Sequence, residues 1–261
     1  MAARRTGLIP LDDDSPEEVT VYVKGFLAPG EAADRYLAWQ ECHRQQVASH
    51  RWSMRSHGWS WSSGRWLDVP VPVVSGTRML TDLYRFSGRS RVLALGSTAG
   101  WMLAEVGARF AVQYLAAERR ALAESEALAR ELEELNRTHG RVRVVAHSLG
   151  CHAVVAAAAS LPVESRPQEI HLCGPAIAEG RVEVLLQGLA RDRTYLYHCA
   201  SDLVLGLAFP VVAWDRALGS AGPRQRYTGL ESVDVGSHFG FRVHGEYKNR
   251  FADFAVRAEA A

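Results

Sequence analysis

The sequence has little cysteine and no excess of charge of one sign. The four cysteines are spread over 261 residues without a C-x-x-C pair, which indicates neither a zinc site nor a disulfide framework. Thirty basic residues against 29 acidic ones give a formal charge of +1, so no field of one sign would recruit nucleic acid or an anionic membrane. We therefore expect no nucleic-acid partner, and reduced cysteines fit a cytoplasmic protein.

Long apolar runs and cofactor motifs are also missing. The most apolar stretch, residues 92–117, is interrupted by Glu105 and Arg109, and residues 1–20 hold no signal-peptide core. Neither a transmembrane segment nor an export signal is predicted. The metal-binding H-E-x-x-H, the phosphate-binding G-x-x-x-x-G-K-[ST] and the dinucleotide-binding G-x-G-x-x-G are absent, so we expect no metal and no organic cofactor.

Strand-like and helix-like segments alternate along the chain. Runs of β-branched and aromatic residues such as "VTVYVKGF", "RVRVVAH" and "RTYLYHCA" are each followed by a segment with helical spacing. This alternation predicts an α/β fold with a mostly parallel sheet and helices on both faces. No repeat or linker divides it, so we expect irregular structure in residues 1–18 and a single domain over residues 19–261.

The stretch "RVRVVAHSLGCHAV" has the pattern of a strand, a tight turn and a helix. Ser148 stands at the turn between Ala146 and Gly150, as the serine does in a G-x-S-x-G nucleophile elbow with alanine in the first glycine position. The alternative is a serine that only caps the helix beginning at Leu149.

A second candidate elbow lies upstream. Gly96, Thr98 and Gly100 in "LGSTAG" form a G-x-T-x-G arrangement between an apolar run and a helical segment. The β-branch of threonine restricts its rotamers and crowds an attack, so glycines for close helix packing explain this stretch better.

A nucleophilic serine needs backbone N–H donors for the oxyanion that its attack creates. One donor is predicted at Leu149, the residue after the serine. The other is predicted in "KGFL", where Gly25 permits a sharp turn and Phe26 or Leu27 presents its N–H. Gly25 is equally explained as an ordinary turn glycine.

These segments resemble the α/β-hydrolase superfamily from Val19 to the end of the chain. The resemblance is carried by "KGFL", "AHSLG" and "HCASDLVLG". Within the superfamily the chain is similar to the transmembrane-and-coiled-coil-domain hydrolases through "AGWMLAEV", "CASDLVLG" and "SVDV". It departs from the superfamily pattern in Lys24 for a histidine, in Ala146, and in a shortened N terminus.

The resemblance implies that the serine is followed along the chain by an acid and then a histidine. Asp202, directly after "RTYLYHCA", is the expected acid, with a helix cap as its alternative role. Two histidines follow "SVDV". His244, at the start of the final helical pattern with Tyr247 nearby, is the expected base and His238 the alternative.

The implied activity is that of a serine hydrolase, in which Ser148 forms an acyl-enzyme with a carboxylester, lipid ester or thioester. A catalytically inactive binding protein of the same fold and an acyltransferase are the alternatives. The expected partner is a small-molecule acyl substrate, and no oligomeric state is predicted. Five tryptophans could line the pocket for this substrate or belong to the core, and in the pocket they would favour an apolar acyl group. They are Trp52, Trp59, Trp61, Trp66 and Trp101.

Overall fold

The strands in the described part of the protein form one sheet. The structure, a computed structural model, describes residues 6–12, 17–26, 36–49, 51–61, 111–239 and 243–258. Within these ranges the strand order is β1-β3-β2-β4-β5-β6-β7; β1 pairs antiparallel with β3, and all other pairs are parallel. The strands are β1 (Gly7–Asp12), β2 (Glu18–Val23), β3 (Ser56–Ser60), β4 (Arg141–His147), β5 (Glu169–Cys173), β6 (Arg193–His198) and β7 (Leu230–Asp234).

Helices follow most of the strands. They are α1 (Leu37–Ala48), α2 (residues 111–123), α3 (Ser125–Thr138), α4 (Gly150–Ser160), α5 (Glu179–Val182), α6 (Phe209–Ala213), α7 (Leu218–Ala221) and α8 (Val243–Ala258). Short 3₁₀ helices lie at Val163–Ser165, Glu183–Leu186 and Gly236–His238, and a π-helix at Val204–Ala208 leads into α6.

The two faces of the sheet carry separate hydrophobic cores. Because successive strand residues point to opposite faces, Val144 of β4 contributes to one core and Val145 to the other. Helices α3 and α4 cover the first face with residues such as Leu132, and α1 and α8 cover the second with Trp39 and Phe251. The predicted fold class, a mostly parallel sheet between helices, is therefore confirmed.

The N-terminal segment corrects one prediction. Irregular structure is predicted for residues 1–18, but Gly7–Asp12 form β1, the edge strand of the sheet. Pro10 interrupts the strand pattern in the sequence, because proline donates no ladder hydrogen bond and occurs in sheets mainly in edge strands. The register of β1 against β3 is irregular between Pro10 and Asp12.

Cys42, Cys151, Cys173 and Cys199 are all buried as free thiols. Within the described ranges, no helix combines the length and the apolar character needed to cross a lipid bilayer.

Candidate active site

The chain turns sharply at Ser148 between β4 and α4. Ser148 has a φ of 54°, in the left-handed region that costs a non-glycine residue free energy. The turn brings α4 so close to the end of β2 that a Cβ at Gly150 would collide with the carbonyl oxygen of Lys24. This collision is the steric reason for a glycine two positions after the serine. Ala146 is fully buried, and its methyl group is accommodated in the core.

Three polar side chains form a continuous chain of hydrogen bonds at the carboxyl ends of the strands. His244 Nε2 lies 2.9 Å from Ser148 Oγ, and His244 Nδ1 lies 2.8 Å from Asp202 Oδ2. Ser148 follows β4, Asp202 follows β6, and His244 stands in the first turn of α8. The distances allow Ser148 to donate to Nε2 of a neutral His244 whose Nδ1–H donates to Asp202.

Asp202 is fully buried, and both of its carboxylate oxygens accept hydrogen bonds. Oδ2 faces His244, while Oδ1 accepts the backbone N–H groups of Val204 and Leu205 at 3.1 Å each. The helix cap predicted as an alternative is therefore compatible with the contact to His244, because Asp202 caps the π-helix with one oxygen and binds His244 with the other. A buried anion held by three donors keeps a defined orientation.

The two histidines predicted as alternative bases lie in different places. His238 ends the 3₁₀ helix after β7, and its ring contacts Phe254 of α8 with centroids 6.1 Å apart. His244 is the residue that the structure brings within hydrogen-bond distance of Ser148.

The predicted oxyanion donors lie on both sides of the serine. Leu149 precedes α4, and the first N–H groups of a helix have no acceptor within it. On the other side Gly25 touches the elbow, since a Cβ there would lie 2.7 Å from Ser148 Cβ. Phe26 follows directly and packs its ring against Tyr114 with centroids 5.8 Å apart. Leu27, the alternative donor, lies outside the described residues.

The tryptophans predicted as pocket or core residues belong to the core wherever the structure describes them. Trp59 and Trp61 are each 1% exposed, and Trp52 packs in the opposite core. Trp61 also supports the elbow, because its Nε1–H donates to the carbonyl oxygen of Lys24 at 2.9 Å. Trp66, Trp101 and the second candidate elbow at Gly96, Thr98 and Gly100 lie outside the described residues.

His147 makes a contact that no local pattern indicates. The side chain before an elbow serine points away from it, so the sequence favours a packing role for His147; in the structure, however, His147 Nε2 lies 2.8 Å from the carbonyl oxygen of His244. The two residues are 97 positions apart, so only the folded chain reveals the pair. His152, on the other side of the turn, faces Glu118 instead, with 3.5 Å between its Nδ1 and Glu118 Oε1.

The comparisons with known proteins give remote structural likenesses. No protein-family profile and no curated protein matches the chain by sequence. The apo form of esterase 2 from Thermogutta terrifontis aligns at 11% identity over 96% of this chain and 89% of that one, with a TM-score of 0.38. An acetyl ester-xyloside bifunctional hydrolase from Caldicellulosiruptor lactoaceticus aligns at 13% identity over 97% and 88%, with a TM-score of 0.35.

A third solved structure is similar at the same level. Esterase B from Lactobacillus rhamnosis, inhibited by a tributyrin phosphonate, aligns at 10% identity over 95% of this chain and 76% of that one, with a TM-score of 0.40. Likenesses this remote say nothing about what this chain binds or cleaves. The mostly parallel sheet and the serine turn between β4 and α4 are consistent on their own with the α/β-hydrolase fold. The subgroup of transmembrane-and-coiled-coil-domain hydrolases stays a prediction.

Proposed function

We propose that the protein is a serine hydrolase that cleaves a small-molecule ester-type substrate through an acyl-enzyme on Ser148. The observation that carries the proposal is the hydrogen-bond chain from Ser148 through His244 to Asp202. A hydroxyl is a weak nucleophile until a base takes its proton, and here the base candidate is already in contact with it.

The acylation step follows from the positions of these atoms. His244 Nε2 takes the proton of Ser148 Oγ while the oxygen attacks the substrate carbonyl. The carbonyl oxygen becomes an oxyanion that accepts hydrogen bonds from the backbone N–H groups of Leu149 and Phe26. The buried carboxylate of Asp202 stabilises the imidazolium of His244. His244 then gives the proton to the leaving alcohol or thiol, and Ser148 keeps the acyl group.

The deacylation step repeats the same chemistry with water. His244 takes a proton from a water molecule, whose oxygen attacks the acyl carbon of the ester on Ser148. The bond to Ser148 Oγ breaks, and His244 returns the proton to that oxygen. The products are the carboxylic acid and the free enzyme, so the cycle uses no oxidant, reductant or metal.

Two features favour catalysis over a binding protein of the same fold. Ser148 is held at a positive φ, which costs free energy that a binding role would not need. Asp202 is a fully buried carboxylate, and such an anion is costly unless its partners, here including His244, are kept in place. Both costs are expected of a site in which strain and buried charge serve a reaction.

Labelling with a fluorophosphonate tests the proposal. The intact protein is expected to form a covalent adduct in which Ser148 Oγ displaces fluoride, and mass spectrometry of peptides would assign it. A chain that stays unlabelled and inactive on p-nitrophenyl esters would be a binding protein. Product analysis with added alcohol separates hydrolysis from acyl transfer, because a transferase would yield the new ester as its main product.

Substitution of the two histidines identifies the base. His244→Gln is expected to lower kcat by about 10²–10⁴-fold, because the general base is lost, and to slow labelling of Ser148. His238→Gln is the matched control, since His238 contacts Phe254 instead of Ser148, and is expected to retain activity. Activity lost in His238→Gln and kept in His244→Gln would reverse the assignment.

A methyl group on Gly25 is expected to disturb the nucleophile. In Gly25→Ala the new Cβ would lie 2.7 Å from Ser148 Cβ and 3.0 Å from the carbonyl oxygen of His147, so the elbow must shift. We expect kcat to fall by about 100-fold, the usual result of a displacement near 1 Å. Gly180→Ala, where no atom lies within 4 Å of the new Cβ, is the control. Equal kcat in the two variants would mean that Gly25 is an ordinary turn residue.

A further inference from the structure

His147 lies between the nucleophile and the base without being either. It is the last residue of β4 and directly precedes Ser148. Its Nε2 lies 2.8 Å from the carbonyl oxygen of His244, and because a carbonyl only accepts, Nε2 carries the proton. The hydrogen bond therefore defines the tautomer of His147 and joins the end of β4 to the first turn of α8.

The rings around His147 hold it in a single orientation. Its centroid lies 5.0 Å from that of His244, 5.8 Å from that of Tyr247 and 6.5 Å from that of Trp39. On the remaining side Gly25 is so close that a Cβ there would lie 3.1 Å from His147 Nδ1. His147 thus contacts both the segment that leads to the proposed oxyanion donor Phe26 and the helix that carries the base.

The charge state of His147 suits a permanent hydrogen-bond donor. Loss of solvation within this cluster and the neighbouring His244 lower the pKa of His147 to about 3, with a smaller effect from Lys248. It therefore stays neutral near pH 7 and does not compete with His244 for the proton of Ser148. A charged His147 would instead repel the imidazolium that His244 becomes during the reaction.

We propose that His147 is a positioning residue that holds the backbone of His244 so that the imidazole Nε2 faces Ser148. The inference rests on the proposed function and adds a second attachment between the elbow and α8. One attachment is the reacting hydrogen bond between Ser148 and His244, which breaks in each cycle. The bond from His147 involves no reacting atom, so it keeps His244 in place while the proton moves.

Two substitutions of His147 separate the effect of its hydrogen bond on activity from the effect of its ring. His147→Phe keeps an aromatic ring among its neighbours but removes the donor, while His147→Gln keeps an N–H donor of similar reach. We expect the phenylalanine variant to lose about 10–100-fold in kcat for p-nitrophenyl acetate, with KM nearly unchanged, because the base is misplaced and the binding surface is intact. The glutamine variant is expected to recover to within about threefold of the original chain.

His152→Phe is the matched control for a general loss of stability. His152 is buried beside the same turn but faces Glu118, so its substitution perturbs the core without touching His244. Thermal unfolding of all variants shows whether they are folded. The low-field proton resonance of His244 Nδ1–H, observed by NMR at low temperature, is expected to broaden in His147→Phe and to remain in His152→Phe.

The outcomes distinguish this inference from the proposed function. If the original chain is neither labelled by fluorophosphonate nor active, the proposed function fails. If the original chain is active and His147→Phe matches it in kcat and in the His244 resonance, only the positioning role fails. Equal losses in the phenylalanine and glutamine variants would also overturn that role, because they would trace the effect to the imidazole ring instead of the donated hydrogen bond.

Discussion

Ser148→Ala is expected to abolish turnover while leaving the protein folded. The substitution removes one oxygen atom from a side chain that is 5% exposed, and the φ of 54° is set by the surrounding turn. Loss of the nucleophile lowers kcat by about 10⁶-fold in well-studied serine hydrolases. The measurement is hydrolysis of p-nitrophenyl acetate together with fluorophosphonate labelling, with circular dichroism as the check on folding.

Ser160→Ala provides the matched control for this prediction. Ser160 is the last residue of α4, at the end of the helix away from the elbow. Its hydroxyl donates to the carbonyl oxygen of Ala157. This variant should keep both activity and labelling. A folded Ser148→Ala protein with full esterase activity would end the assignment of Ser148 as the nucleophile.

Asp202→Asn is expected to lower kcat by about 10⁴-fold. Oδ1 of the new side chain still accepts the N–H groups of Val204 and Leu205, so the cap on the π-helix survives. The amide NH₂ in place of Oδ2 can only donate to His244 Nδ1, which moves the ring proton to Nε2. In that tautomer Nε2 no longer accepts the proton of Ser148, although the positions of the atoms are nearly unchanged.

Asp234→Asn is the control for Asp202→Asn. Asp234 is the last residue of β7, and its Oδ1 accepts the N–H of Gly236 at 2.9 Å. Asparagine keeps this acceptor oxygen, so the substitution removes only a carboxylate charge outside the hydrogen-bond chain and should change kcat by less than about threefold. If Asp202→Asn also lost only about twofold, Asp202 would be a cap and the acid of the site would lie elsewhere.

The elbow could be predicted from the sequence because the residues that form its pattern lie within a few positions of one another. A β-branched strand, a small residue on each side of Ser148 and an alanine-rich helix are consecutive in the sequence. The steric need for Gly150, in contrast, comes from the backbone of Lys24 after β2, which only the folded chain brings to the turn. The order of strands and helices could also be predicted from the sequence, because periodicity is a local property. Strand β1 was not predicted, because Pro10 interrupts its pattern and because its place at the edge depends on pairing with β3.

The resemblance favours His244 over His238, but only the folded chain shows which of the two rings lies beside Ser148. Both follow the same strand within ten residues, and either loop could in principle return to the serine. The packing of α8 against α1 and the second core brings His244 to the elbow, while His238 lies against Phe254. Such packing joins residues that are distant in sequence, so no short segment contains the information.

The contact between His147 and His244 is the clearest example of a feature that only the folded chain shows. Composition, periodicity and the local motif account for the sheet and the elbow, because each depends on neighbouring residues, and the resemblance to the α/β-hydrolase superfamily pointed to Asp202. The hydrogen bond across 97 positions, the dual role of the Asp202 carboxylate and the support of Lys24 by Trp61 depend on how the elements pack. Tertiary structure alone decides these contacts, since hydrogen-bond geometry is sensitive to shifts of a fraction of an ångström that no sequence pattern records.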